Sequence, residues 1–218
     1  DDFVAAFTHE LKTPITSMMG YASLLRTGEL PPEARKKAAD YIYHETKRLE
    51  ALSQKLMVFM ELEHTGELAL EPLELKVLEA RLRRIRPPEA KTELVFEGFE
   101  GLAVLAQPDL LLALVQNLVS NAEKADPADG KVTLTARAQE GRVTLTVRDK
   151  GRGIPQEELA RVTEPFYMVD RSRARAQNGS GFGLALCERI ARLHGGKLAI
   201  ESEAGKGTAV RFELKEAR

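Results

Sequence analysis

Cysteine is nearly missing from this 218-residue chain. The single Cys187 allows no internal disulfide and fits a reducing compartment. It lies in the apolar run GLALCERIARL, where a buried structural thiol is expected. An excess of either charge is missing too: 32 basic and 33 acidic residues leave a formal net charge of -1, which points to neither nucleic acid nor an anionic membrane surface. No run reaches the roughly 18 apolar residues of a membrane span, and the acidic opening DDF resembles no signal peptide. The chain as it stands is expected to be soluble, and its start just ahead of His9 reads like the trimmed end of a longer protein. The pattern G-x-x-x-x-G-K-[ST] occurs nowhere, which excludes a P-loop. The glycines near position 180 follow a long polar loop and no strand, which argues against a dinucleotide fold. His44, His64 and His194 have no metal-ligand spacing and receive no role.

What is present is 43% hydrophobic, enough for a real core, and it falls into two textures. Up to about Glu63 the pattern is purely helical. Val4, Phe7, Leu11, Pro14, Met18, Tyr21 and Leu25 form one seam with alternating spacings of three and four. After the break at TGELPP, Ala38, Ile42, Glu45, Leu49, Leu52, Leu56 and Phe59 form a second seam with one charged member. Two such helices make an antiparallel hairpin, and pairing two copies into a four-helix bundle predicts a homodimer. Beyond a linker at 64–71 the texture turns mixed. LELKVLEARLRRI and PDLLLALVQNLVSNAEKA read as helices, TELVFEG and LAVLAQ as short strands, and KVTLTARAQEGRVTLTVRD as a hairpin. A loop-rich stretch at 151–180, the helix GFGLALCERIARLHG and the hairpin KLAIESEAGKGTAVRFEL follow. The fold class is α+β: a helical hairpin over 1–63, then an α/β sandwich over 72–218 with helices against a largely antiparallel sheet.

The stretch FTHELKTPITS sets His9 at the heptad position farthest from the seam, facing solvent, where a histidine usually has no task. Its neighbours argue otherwise. Glu10 can accept from one imidazole nitrogen, fixing the tautomer and leaving the other lone pair free to attack. Thr13, one turn along, can orient a water. Pro14 removes a backbone hydrogen bond just past the pair and favours a bend.

The second half offers groups suited to a nucleotide. Asn117 and Asn121 share one helix face with Lys124 one turn on, and neutral amide oxygens beside a lysine suit a magnesium ion held mainly by phosphates. Two asparagines capping neighbouring loops would look the same. Asp149 in RDKGRGIP ends a strand, where a carboxylate can accept from an exocyclic amine such as that of adenine, while Gly151 and Gly153 let the backbone approach the ring. In NGSGFGLAL, Gly179, Gly181 and Gly183 precede a helix whose free N–H groups and positive dipole end form a phosphate cradle. GKGT, containing Thr208, reads alone as a hairpin turn.

The order of these segments, with HELKTP upstream, strongly resembles the dimerisation and catalytic domains of a sensor histidine kinase over nearly the whole chain. FTHELKTPITS looks like the H box, NLVSNAEK the N box, DKGRGIP the G1 box, EPFYMVDRS the F box and GSGFGLAL the G2 box. The resemblance implies a Bergerat fold binding ATP and Mg²⁺, with His9 as phosphoacceptor and Glu10 controlling its tautomer or acting as base. It implies Asn121 as the Mg²⁺ ligand, Asn117 and Lys124 at the phosphates, and Asp149 on the adenine amine. It adds Gly151, Gly153, Arg171, Gly179, Gly181, Phe182, Gly183, Leu184 and Thr208 to the nucleotide site, with Phe166 anchoring a lid that runs to Gly179. It further implies phosphotransfer to a response-regulator receiver domain, phosphatase activity through Thr13, and a place on the cytoplasmic side of a membrane that the full-length protein is anchored in. Two departures stand out. Many relatives carry an arginine where Met168 stands and an aromatic where Ala125 stands, which bears on affinity and rate. The alternatives are an ATP hydrolase or clamp of the gyrase or chaperone kind and a receiver-binding scaffold. Hydrolases of that kind place a base glutamate where this chain has Asn117, and an amide takes no proton from water.

Overall fold

A computed structural model describes residues 2–28, 30–87, 89–170 and 181–217. Helix α1, Asp2–Thr27, runs unbroken through Pro14, whose ring is buried. Helix α2, Pro32–His64, begins with Pro32 in its first turn, where the missing N–H costs nothing. The two pack side by side as the hairpin expected from their seams. Ala38 and Leu52 of the second seam are buried, and the charged member Glu45 is neutralised by Arg48 one turn on, at 3.2 Å. Tyr21 stacks on Tyr41 with ring centroids 4.4 Å apart.

The remainder builds one twisted layer and a helical layer. Strand β1, Glu71–Glu74, leads into α3, Leu75–Ile85; β2, Glu93–Glu97, and β3, Ala103–Ala106, precede α4, Pro108–Lys124. Then come β4, Lys131–Gln139, β5, Arg142–Asp149, a single 3₁₀ turn at Gln156–Glu158, α5 at Gly183–Leu193, β6 at Ala199–Glu203 and β7 at Gly207–Lys215. The five-stranded sheet has the order β2-β4-β5-β7-β6, antiparallel except for the β2–β4 pair, and β1 pairs with β3 in a separate ribbon. Each sequence-predicted strand and helix of this half is present; β1 is the addition.

Strand alternation explains the layering. Val132, Leu134 and Ala136 on β4 and Val143, Leu145 and Val147 on β5 are buried against the helices, while the residues between them face away. Helix α4 answers with Leu111, Leu114, Val115, Leu118, Val119 and Ala122, an apolar stripe with spacings of three and one. Its first turn is capped by Gln107, whose side-chain oxygen accepts from the Leu110 N–H at 2.6 Å. His194, just past α5, is buried between the helices: its Nε2 accepts from the Gln107 N–H at 3.1 Å and its Nδ1–H donates to the Ile190 carbonyl at 2.8 Å. That pairing requires a neutral ring, and burial holds its pKa below the ordinary histidine value.

Candidate functional site

Asp149 stands at the C-terminal end of the central strand β5, in register with Val132 on one side and Thr208 on the other. It is buried, and burial pushes its carboxyl pKa up; the backbone N–H groups of Gly151 and Thr208 and the Arg152 charge act in the opposite direction. The Gly151 N–H donates to Asp149 Oδ1 at 2.8 Å. Gly153, at φ +68°, lies so close to the Glu203 carbonyl that a Cβ would collide with it, and only glycine tolerates both constraints. Beside these residues opens a cavity of about 450 Å³, of the size that takes a small organic ligand. Its apolar wall includes Ala125, Val147, Ile154, Val162, Met168, Ile200 and Val210.

The polar wall comes from α4 and the start of α5. Asn117, Asn121, Lys124, Gly181, Gly183, Leu184 and Thr208 all line the cavity with Asp149 and Gly153. Asn117 Nδ2 donates to the Ala113 carbonyl at 2.8 Å, which leaves its Oδ1 toward Gly183. A Cβ on Gly183 would sit 3.3 Å from that oxygen and 3.9 Å from the Asn121 Oδ1, so both amides converge on the helix start. Gly181, at φ +65°, passes against the backbone of Phe166 and Tyr167, where a Cβ would meet the Phe166 carbonyl carbon at 2.7 Å. Unpaired amide oxygens next to a helix N-terminus suit a hard cation carried on phosphates. Among the described residues, no three His, Cys, Asp or Glu side chains come together as a metal cage. The residues present therefore fit a Mg²⁺ ion that arrives with a polyphosphate.

Three described residues that the resemblance groups with the nucleotide site do not line the cavity, and one of them, Gly151, sits beside it bonded to Asp149. Phe166 and Phe182 line no part of the cavity. They are buried in a second apolar cluster with Leu52, against Phe7, Leu11, Leu56 and Phe59 of the hairpin. The ring centroids of Phe166 and Phe182 are 5.2 Å apart, Phe182 meets Phe59 at 5.0 Å and Phe166 meets Phe7 at 5.8 Å. Phe166 holds this place at φ 67°, with its N–H donating to the Gly181 carbonyl at 2.9 Å. The physical reason is that both rings adjoin the apolar hairpin seam, where Phe7, Leu11, Leu52, Leu56 and Phe59 offer a dry contact. Each such aromatic pair adds roughly 0.5–1.5 kcal/mol beyond area burial. Arg189 completes the contact by donating to the Leu62 carbonyl at the end of α2, at 2.6 and 3.1 Å.

His9 is exposed on α1 and is not part of the cavity wall. The Thr13 hydroxyl donates to the His9 carbonyl at 3.3 Å, within its own helix. Arg171 and Gly179 lie outside the described residues, as does the Glu10 side chain. Lys55, which sequence reasoning passed over, reaches the cavity from α2. Burial lowers its pKa, and burial followed by repulsion from Lys55 lowers that of Lys124. No helix among the described residues is long and apolar enough to cross a membrane.

Two family models match the chain. The family described as Histidine kinase-, DNA gyrase B-, and HSP90-like ATPase matches residues 106–218, and His Kinase A (phospho-acceptor) domain matches residues 1–65. The sensor histidine kinase YkoH of Bacillus subtilis (strain 168) is 32% identical over 98% of this chain and 47% of its own length. The sensor protein CreC of Escherichia coli (strain K12) is 35% identical over 98% of this chain and 45% of its own. The chain thus spans about half the length of these curated relatives. Histidine kinase ThkA, solved in complex with response regulator protein TrrA, superposes with a TM-score of 0.79 at 25% identity, covering 100% of this chain and 62% of that one. Full-length ShkA, solved in complex with AMPPNP, gives 0.70 at 28% identity over 99% of this chain and 46% of that one. With a phosphoacceptor-domain match on the hairpin and an ATPase-domain match around the cavity, the chain belongs to the sensor histidine kinases of two-component systems.

Proposed function

We propose that this chain is a catalytic core that transfers the γ-phosphoryl group of ATP to His9 and then to an aspartate of a response-regulator receiver domain. The single observation that carries the reading is the convergence of Asp149, the α4 amides, Lys124 and the start of α5 on one cavity, on a chain whose other half bears an exposed histidine beside a seam. Asp149 accepts from the adenine amine, the apolar wall takes the ring, and Lys124 with the free N–H groups of α5 holds the phosphates. Mg²⁺, with Asn121 as its protein ligand and Asn117 beside it, would neutralise charge on the phosphate chain. Gly151, Gly181, Gly183, Leu184 and Thr208 shape the approach. An imidazole nitrogen of His9 attacks the γ-phosphorus; an N–P bond forms as the bridging P–O bond breaks, and ADP leaves with the electron pair. Glu10 holds the tautomer or takes the imidazole proton. Catalysis of this kind is mostly alignment and charge neutralisation.

His9 stands outside the cavity wall, so the α/β half must move on the hairpin for transfer, which requires the Phe166 and Phe182 contacts to slide. Met19, Tyr43 and Met57 are 68%, 61% and 65% exposed on the hairpin, an apolar load that supports a homodimer joined through residues 1–63. Thr13 would position water for dephosphorylation of the receiver domain after leaving its own helix carbonyl. The histidine kinase ThkA was solved with a response regulator, which supports the same class of partner here. The reading places the core on the cytoplasmic side of a membrane, where ATP and receiver domains are found. Incubation with γ-labelled ATP tests it. Acid-labile, alkali-stable label on the protein is expected; free phosphate with no protein label would make it a hydrolase, and neither product would leave a scaffold.

A further inference from the structure

We propose that Lys55, supplied by hairpin helix α2, is a ligand for the phosphate chain of the nucleotide, so that a bound triphosphate is clasped between the two halves of the chain. The inference rests on the nucleotide reading above and extends it to the opposite half. Lys55 shares the wall of one cavity with Asn117, Asn121 and Lys124. Its position there follows from the stripe around it. Leu52, Leu56 and Phe59 pack into the cluster of Phe166 and Phe182, and Arg189 fastens the end of α2 to α5. With those anchors fixed, the residue three after Leu52 and one before Leu56 is turned to the cavity.

Two lysines share this wall with the carboxylates of Asp149 and Asp170, and neither lysine forms a salt bridge among the described residues. Among the described residues no carboxylate pairs with Lys55. Its ammonium is near enough to Lys124 for repulsion to depress the latter, and both lysines share the cavity wall with Gly183 and Leu184 at the start of α5. Two half-buried ammonium groups repel each other beside a helix N-terminus; Glu123 offsets Lys124 only in part, since burial and Lys55 still hold its pKa down. A polyphosphate supplies a counter-charge, and charge-assisted N–H···O bonds are the strong ones. A monophosphate offers too little of it to span from Lys124 to a lysine of the other half.

The consequence is a dependence on phosphate number. Dissociation constants for ATP, ADP and AMP are measured by calorimetry with Mg²⁺ on the full chain and on Lys55→Gln, Lys55→Arg and Lys124→Gln. Lys55→Gln should weaken ATP roughly tenfold or more while changing AMP less than twofold, and Lys55→Arg should stay near the parent. Retained AMP binding shows that the variant is folded. Unchanged ATP binding in Lys55→Gln, with Lys124→Gln weakened, overturns the clasp and leaves the nucleotide site standing. An equal loss for ATP and AMP also overturns it, by making Lys55 merely structural. If the parent chain binds neither nucleotide, the underlying nucleotide reading falls with it.

Discussion

The α/β half and the helical hairpin satisfy their apolar residues in opposite ways. The α/β half completes a core within one chain: Leu75, Leu111, Val132, Val143 and Cys187 have no exposed surface at all. Along α2 only Ala38, Leu52 and Leu62 are buried, and Leu52 and Leu62 achieve this against the α/β half. A region that exposes Met19 and Met57 on its own surface is an incomplete folding unit. The hairpin thus leaves apolar surface open to a partner, while the α/β half closes its core by itself.

That contrast can be broken by substitution. Leu114→Ala opens a void in the closed core and should cost about 2–5 kcal/mol in a chemical denaturation curve. Met19→Ala, already exposed, should leave the α/β transition untouched and instead raise the concentration at which dimers dissociate in sedimentation. An equal loss of stability in both variants would mean that the two halves fold as a single unit.

The cavity sharpens the same contrast, because its chemistry is held at a cost to the rigid half. The Asp149 pKa is raised by burial, so between the unfolded value near ~3.9 and the folded one the native state binds more protons. Stability therefore falls as pH rises through that window. Asp149→Asn should make the nucleotide-free chain melt higher at neutral pH while weakening ATP binding about tenfold to hundredfold by calorimetry. A smaller effect belongs to His194. Its folded pKa is lowered, so its contribution to stability is complete above the unfolded value near ~6.5 and is lost as pH falls below it. His194→Gln should flatten that acid limb of the melting profile without moving nucleotide affinity.

Much of this was legible in the chain. The heptad seams, the period-two strands of β4 and β5 and the stripe of α4 each carry their own periodicity, so local pattern and tertiary contact agree. β1 was not legible, because Glu71–Glu74 is four residues long, includes Pro72 and buries only Leu73. The parallel pairing of β2 with β4 depends on a crossover that no local pattern encodes. Asp149, Asn117, Asn121 and Lys124 were legible as a set through their order along the chain, and they do share one cavity. Phe166 and Phe182, grouped with the nucleotide site by resemblance, pack against the hairpin instead of lining the cavity, since sequence does not say which neighbour a buried ring chooses. Lys55 was silent for the same reason. Within α2 it is a lysine beside a seam, and only the opposing wall gives it a task.

A nucleotide bound beside Asp149 should phosphorylate His9 and no other histidine. The chain has 4 histidines, and mapping an acid-labile phosphoryl group by mass spectrometry after brief incubation with ATP and Mg²⁺ separates them. Phosphoryl nitrogen is expected on the peptide containing His9 alone, and is expected to be absent in Asp149→Asn. Modification at His44, His64 or His194, or a His9 signal that survives Asp149→Asn undiminished, would contradict it.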